Sequence, residues 1–128
     1  MMRELKFRAW QKHHKEMFEV AAISFVSAVS TGFVVKKASS GLNVETWALD
    51  EVELMQFTGI KDKAGKAVYE GDIVQCDAIG IQGFVTWVET GPGFYILNVE
   101  KTAAYVLHDD WEVVGNVWEN SELVRLVG

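Results

Sequence analysis

The stretch from Gly71 to Leu97 reads GDIVQCDAIGIQGFVTWVETGPGFYIL. Gly71-Asp72 opens it with turn chemistry, because glycine supplies backbone freedom and aspartate a local hydrogen-bond acceptor. Ile73-Val74-Gln75-Cys76 follows as a run of strand formers. Ile79 to Ile81 and Phe84 to Val88 are the next strand candidates, with Gly80 and Gly83 as bulges or bends. Thr90-Gly91-Pro92-Gly93 reads as a hairpin turn, since proline presets φ and glycine tolerates a positive one. Phe94-Tyr95-Ile96-Leu97 returns from it. The pattern is that of part of a small SH3-like barrel.

The same alternation of short strands and turns extends in both directions. Towards the N-terminus, Ala67-Val68-Tyr69 is a strand between two turns, Lys61 to Lys66 and Glu70-Gly71-Asp72. From Val52, residues 52, 54 and 56 share one strand face and 53, 55 and 57 the other, with Thr58-Gly59 closing the segment. Charge alternates with apolar residues over the whole of Val44 to Phe57, with a short helical turn over residues 45–51 as the alternative. Lys37 to Asn43 is a loop by composition, and Phe33-Val34-Val35 a strand. Val20 to Ser30 fits both a strand and a helix face, and strand is the favoured reading. Leu5, Phe7 and Ala9 alternate with Lys6, Arg8 and Trp10, and Lys12 to Lys15 turns the chain into Met17-Phe18-Glu19-Val20. Towards the C-terminus, Ala104 to Leu107 and Val113 to Trp118 are strands. Asn120 is a candidate N-cap for a short helical turn over Ser121 to Leu126. The expectation is one domain over 1–128, mainly β: an antiparallel small barrel or sandwich with an SH3-like portion and a short C-terminal helical turn.

Composition narrows the function classes. The chain has 128 residues, 12 Lys and Arg against 18 Asp and Glu, and a net charge of −6. Acids in excess disfavour nucleic acid, whose affinity comes mainly from cations on phosphates. A basic face would have to come from Arg3, Lys6, Arg8, Lys12 and Lys15. Cys76 is the one cysteine, so no intrachain disulfide forms, and it reads as a small buried apolar residue. The N-terminus lacks a signal-peptide core, and Val20 to Val29 is too short to span a bilayer. A cytoplasmic location without membrane contact is expected.

Four sets of residues carry candidate chemistry. His108, Asp109, Asp110 and Glu112 are metal-ligand types, yet neighbours on an extended chain point opposite ways. A solvated connection between strands is the simpler reading. His13-His14 lies between Lys12 and Lys15, which disfavours a bound cation, and reads as an exposed turn. Glu70 and Asp72 could work as acid and base in a cleft, but turn capping by Asp72 explains them without catalysis. Trp10, Trp47, Trp87, Trp111 and Trp118 are many for a core this size, and large aromatics are enriched at protein interfaces. No catalytic triad, phosphate loop, dinucleotide fingerprint or paired-cysteine motif occurs.

Three blocks taken together are more specific. They are Arg3-Glu4-Leu5-Lys6-Phe7-Arg8-Ala9-Trp10 with Met17 soon after; Leu54 to Lys66 continuing to Tyr69-Glu70-Gly71-Asp72-Ile73-Val74; and Val113 to Leu123. In this order and spacing they resemble the YopX family of small phage and prophage proteins. Residues 20–50 and 76–110 match weakly. The family often has an acidic residue where Gln11 stands, Asn at Ala64 and Pro at Ser121. Ala64-Gly65 is then a less favourable two-residue hairpin turn than Asn-Gly. The resemblance implies a mainly β fold, a phage or prophage gene and self-association. It brings no catalytic residue, cofactor or metal.

The expected function is therefore that of an accessory protein: a non-enzymatic module that self-associates or binds a phage or host protein. Two alternatives stand beside it, nucleic-acid binding through the SH3-like portion and an enzyme using Glu70, Asp72 or the acids of 108–112.

Overall fold

The computed structural model describes residues 5–25, 32–37, 45–88, 93–98 and 103–123. Its strands all pair antiparallel. The chain falls into two compact units, Lys6–Gln56 and Met1–Leu5 with Phe57–Gly128.

The first unit contains β1 (Phe7–Gln11), β2 (Glu16–Ser24), β3 (Phe33–Lys36), β4 (Thr46–Ala48) and the start of β5 (Val52–Lys61), in the order β4-β3-β2-β1-β5. β1 turns into β2 through the expected polar residues 12–15. Lys15 N–H donates to the Gln11 carbonyl at 2.8 Å, and His14 N–H to Gln11 Oε1 at 2.6 Å. The acceptor half of that carboxamide is the half an acidic side chain would also supply. Ala9, Phe18, Val34 and Val52 form the core, with Ile23, Trp47 and Leu54 packed on it. Each large side chain buried there contributes roughly 1.5–3 kcal/mol. The strand reading of the ambiguous segment holds through Ser24, and residues 26–30 lie outside the described ones. Residues 45–51 divide: Thr46–Ala48 is strand, and only Leu49–Glu51 makes a 3₁₀ turn.

The second unit holds the remainder of β5, β6 (Ala67–Tyr69), β7 (Asp72–Cys76), β8 (Ile81–Val88), β9 (Gly93–Asn98), β10 (Ala104–Val106) and β11 (Glu112–Asn116). β6 pairs with the end of β5, and the other five form a sheet ordered β10-β9-β8-β7-β11. Its middle is the β7-β8-β9 meander read as SH3-like, but among the described residues the sheet is open, with β10 and β11 as edges. Val68, Val74, Cys76, Val85, Ile96, Leu107 and Trp111 form its core.

Several expected boundaries move. β5 does not close at Thr58-Gly59 but runs on to Lys61 through a register shift. The buried Thr58 hydroxyl holds it there, donating to the Val68 carbonyl at 2.8 Å and accepting from Ile60 N–H at 3.2 Å. Ile79 belongs to a turn and is exposed, so one strand, β8, replaces the two expected. Gly83 is no bulge, because the ladder is regular on both sides of it. A Cβ at Gly83 would meet the Leu97 carbonyl and lie 2.8 Å from Ile96 Cγ2, so glycine permits close strand approach. The turn after Lys61 is not the two-residue Ala64-Gly65 type. Gly65 N–H donates to the Asp62 carbonyl at 2.9 Å and Asp62 N–H to that of Lys66 at 2.8 Å. Lys63-Ala64 therefore occupies the turn centre and Gly65, at φ 86°, the left-handed position after it. β11 stops at Asn116 instead of Trp118, since Asn116 Oδ1 accepts from Trp118 and Glu119 N–H and bends the chain. The 3₁₀ turn Ser121–Leu123 follows as expected, but Asn120 Oδ1 points back to Asn116 N–H at 3.1 Å. Residues 89–92 and 124–126, which hold most of one predicted turn and the end of the other, lie outside the described ones.

Candidate functional site

Alternation along β8, β9 and β10 gives the second unit's sheet two faces. Val85, Ile96 and Tyr105 line up across the strands on the core face. On the other face Ile73, Phe84, Leu97 and Ala104 form one cross-strand row, and Thr86, Tyr95 and Val106 the next. Ile73 is fully buried, Phe84, Tyr95 and Leu97 half-buried, Ala104 exposed and Val106 67% exposed. The face thus opens towards edge strand β10. Neither row carries a charge, in a chain with 12 basic and 18 acidic residues. At the far end of the core face Trp87 is 48% exposed and packs edge-on against Phe94 at 5.0 Å.

The five tryptophans divide between core and surface. Trp10 and Trp111 are buried and Trp47 is half-buried against the first unit's core, while Trp87 and Trp118 are exposed. Sequence alternation pointed to none of these fates, because it marks a face without saying what covers it.

Two buried aspartates shape the turns around β6. Asp72 is 1% exposed, and its Oδ2 accepts from Tyr69 N–H at 2.8 Å, the capping role expected of it. Glu70 is half-buried beside it. The sequence marks Asp62 only as a turn former. Its Oδ1 accepts from Ala64 N–H at 2.9 Å and Lys66 N–H at 2.8 Å, and its Oδ2 from Val113 N–H at 3.0 Å. Burial alone would push this carboxyl up. The three N–H donors and Lys66 outweigh burial and hold it below its ordinary value. The Asp-x-x-Gly spacing signals the turn. Nothing in the sequence signals a partner 51 positions away.

The extended-chain argument at His108 is overturned. Asp109-Asp110 is a turn, and it brings ligand-type atoms of His108, Asp109 and Asp110 within 4.8 Å of one another, all three residues exposed. Glu112 stands apart, paired with Lys63 at 3.3 Å. The His108 ring is engaged: Trp111 Nε1–H points at Nε2 at 3.2 Å and Asp110 N–H at Nδ1 at 3.3 Å. A neutral imidazole has one bare nitrogen and serves one donor at a time. The fully buried indole has no water to turn to, so its need is the greater.

His13 and His14 lie on an exposed turn, with the His14 ring 5.0 Å from Trp47. Cys76 is a free, buried thiol in the apolar core. Lys12, one of the residues a basic face would need, stands beside an acid, as do Lys36 and Lys37. Lys12 pairs with Glu53 at 3.2 Å, Lys36 with Glu16 and Glu45, and Lys37 with Glu19 at 3.1 Å. The Glu16 hydrogen bond holds the Lys36 ammonium above its ordinary value. Arg3 lies outside the described residues. Among the described residues no helix is long and apolar enough to cross a membrane.

A family model described as "YopX protein" matches residues 6–125. The crystal structure of protein EF1440 from Enterococcus faecalis is similar at 24% identity, covering 97% of this chain and 100% of that one with a TM-score of 0.63. That likeness is one of fold. No curated protein matches the chain.

Proposed function

The chain belongs to the YopX family, and from that premise we propose that it is a phage or prophage accessory protein that acts in the host cytoplasm as a self-associating interaction module rather than an enzyme. The observation that supports this reading is the uncharged face of β8–β10. Phe84, Tyr95 and Leu97 are half-buried there and Val106 is largely exposed. Apolar surface of this kind, free of charge in an acidic chain, favours contact with another protein over phosphate. A second copy is the partner that needs no other gene product, and a phage or host protein is the other candidate.

Light scattering after size exclusion tests the reading. The wild-type protein is expected to elute as a dimer or larger species at micromolar concentration. Val106→Lys alters an exposed position and is expected to shift it to monomer with unchanged circular dichroism. A wild-type protein that stays monomeric, and that captures no protein partner from nuclease-treated lysate of an induced lysogen, overturns the proposal.

A further inference from the structure

We propose that β11 is an edge strap that opens separately from the rest of its sheet, and that the Asp62 carboxylate is its latch. Among the described residues β11 has a single strand neighbour, β7, and a register shift between Val113 and Gly115 interrupts that ladder. Of its five residues only Asn116 is buried. Val113 packs half-buried on the core, burial is only partial along the rest of the strand, and both ends are clamped besides. At the C-terminal end Asn116 N–H donates to Asn120 Oδ1 at 3.1 Å and Val117 N–H to the Gly71 carbonyl at 2.9 Å. At the N-terminal end Val113 N–H donates to Asp62 Oδ2, and Lys63 N–H to the Trp111 carbonyl at 3.0 Å.

Asp62 divides its two oxygens between two jobs. Oδ1 closes its own turn and Oδ2 holds the strap. The residue is 5% exposed, so water does not readily replace it as the acceptor for Val113. Trp111, fully buried, anchors the chain just before the strap and places the hinge between Trp111 and Glu112. The Lys63–Glu112 pair beside the latch is solvent-exposed and adds little. Opening of β11 uncovers the backbone edge of β7 while the β8–β9 hairpin stays closed, a sub-global step of the kind amide exchange resolves.

Asp62→Asn separates the two jobs. The carboxamide oxygen keeps the turn, and its NH2 then faces the Val113 N–H, donor against donor. Amide exchange followed by NMR is expected to speed up by about tenfold or more in Glu112–Asn116. Gly65, Lys66 and the β8 and β9 amides keep their wild-type rates. Unchanged rates in β11, or an equal loss of protection in β8 and β9, overturn the proposal. Should this variant not fold, the wild-type protein decides the matter. A strap requires its β11 amides to exchange faster than those of β8 and β9, and equal protection in the three strands refutes it.

Discussion

Gly65 and Gly83 are both glycine, for opposite reasons. Gly65 sits at φ 86° with nothing within 4 Å of where a Cβ would be, so its constraint is conformational. Gly83 lacks a left-handed φ, but its Cβ would strike the Leu97 backbone and Ile96. Gly65→Ala is expected to cost about 1 kcal/mol in urea denaturation. Gly83→Ala is expected to cost about 1–3 kcal/mol by overpacking and to slip the β8–β9 contact. Asp62 carries a pH signature. Its folded carboxyl lies below the ordinary value, so the stability it contributes is present above the unfolded value, near pH 4, and is lost as pH falls through the folded one. Urea denaturation across that range is expected to show a shallower acid limb in Asp62→Asn than in wild type. His108 matters through Trp111. Removing its ring orphans a buried indole N–H, so His108→Ala is expected to cost about 1–3 kcal/mol. Asp109→Ala, an exposed change, is expected to stay within about 0.5 kcal/mol.

At the scale of elements, strand identity was legible and strand ends were not. Leu5 to Trp10, Phe33 to Val35 and Phe94 to Leu97 announce themselves as strands, and β1 (Phe7–Gln11), β3 (Phe33–Lys36) and β9 (Gly93–Asn98) lie there with ends shifted by one or two residues. The ends moved where a side chain took over from the backbone pattern. Thr58 carries β5 past Gly59 by bonding the Val68 carbonyl across the pair. Asn116 halts β11 two residues before Trp118 by capping the N–H groups that follow. A hydroxyl or carboxamide of this kind is invisible to a hydrophobic period, which counts only apolar positions. Thr58→Val keeps the shape and removes the bond, and is expected to cost about 1–2 kcal/mol in thermal or urea unfolding.

At the scale of the molecule, charge and apolar surface point the same way. Lys12, Lys36 and Lys37 each stand beside a glutamate. Exposed ion pairs of this sort contribute about 0–1 kcal/mol each and leave that part of the surface locally neutralised. The uncharged rows on β8–β10 stand out against it. The family assignment covers residues 6–125 and carries no catalytic residue into the chain, so the oligomeric state of wild type and Val106→Lys is the measurement that bears most directly on what the molecule does.

The amino-acid order by itself determined the fold class, the family and several of the turns, because those depend on local chemistry: glycine at turns, aspartate beside them, β-branched residues between. Cys76 could be placed in a core by its type alone. Tertiary structure alone decided which apolar face is covered, which of five tryptophans is buried, and that Asp62 reaches Val113. Those are facts about partners far apart in the chain, and a residue's type records what it can bond or bury without recording what folding brings to it.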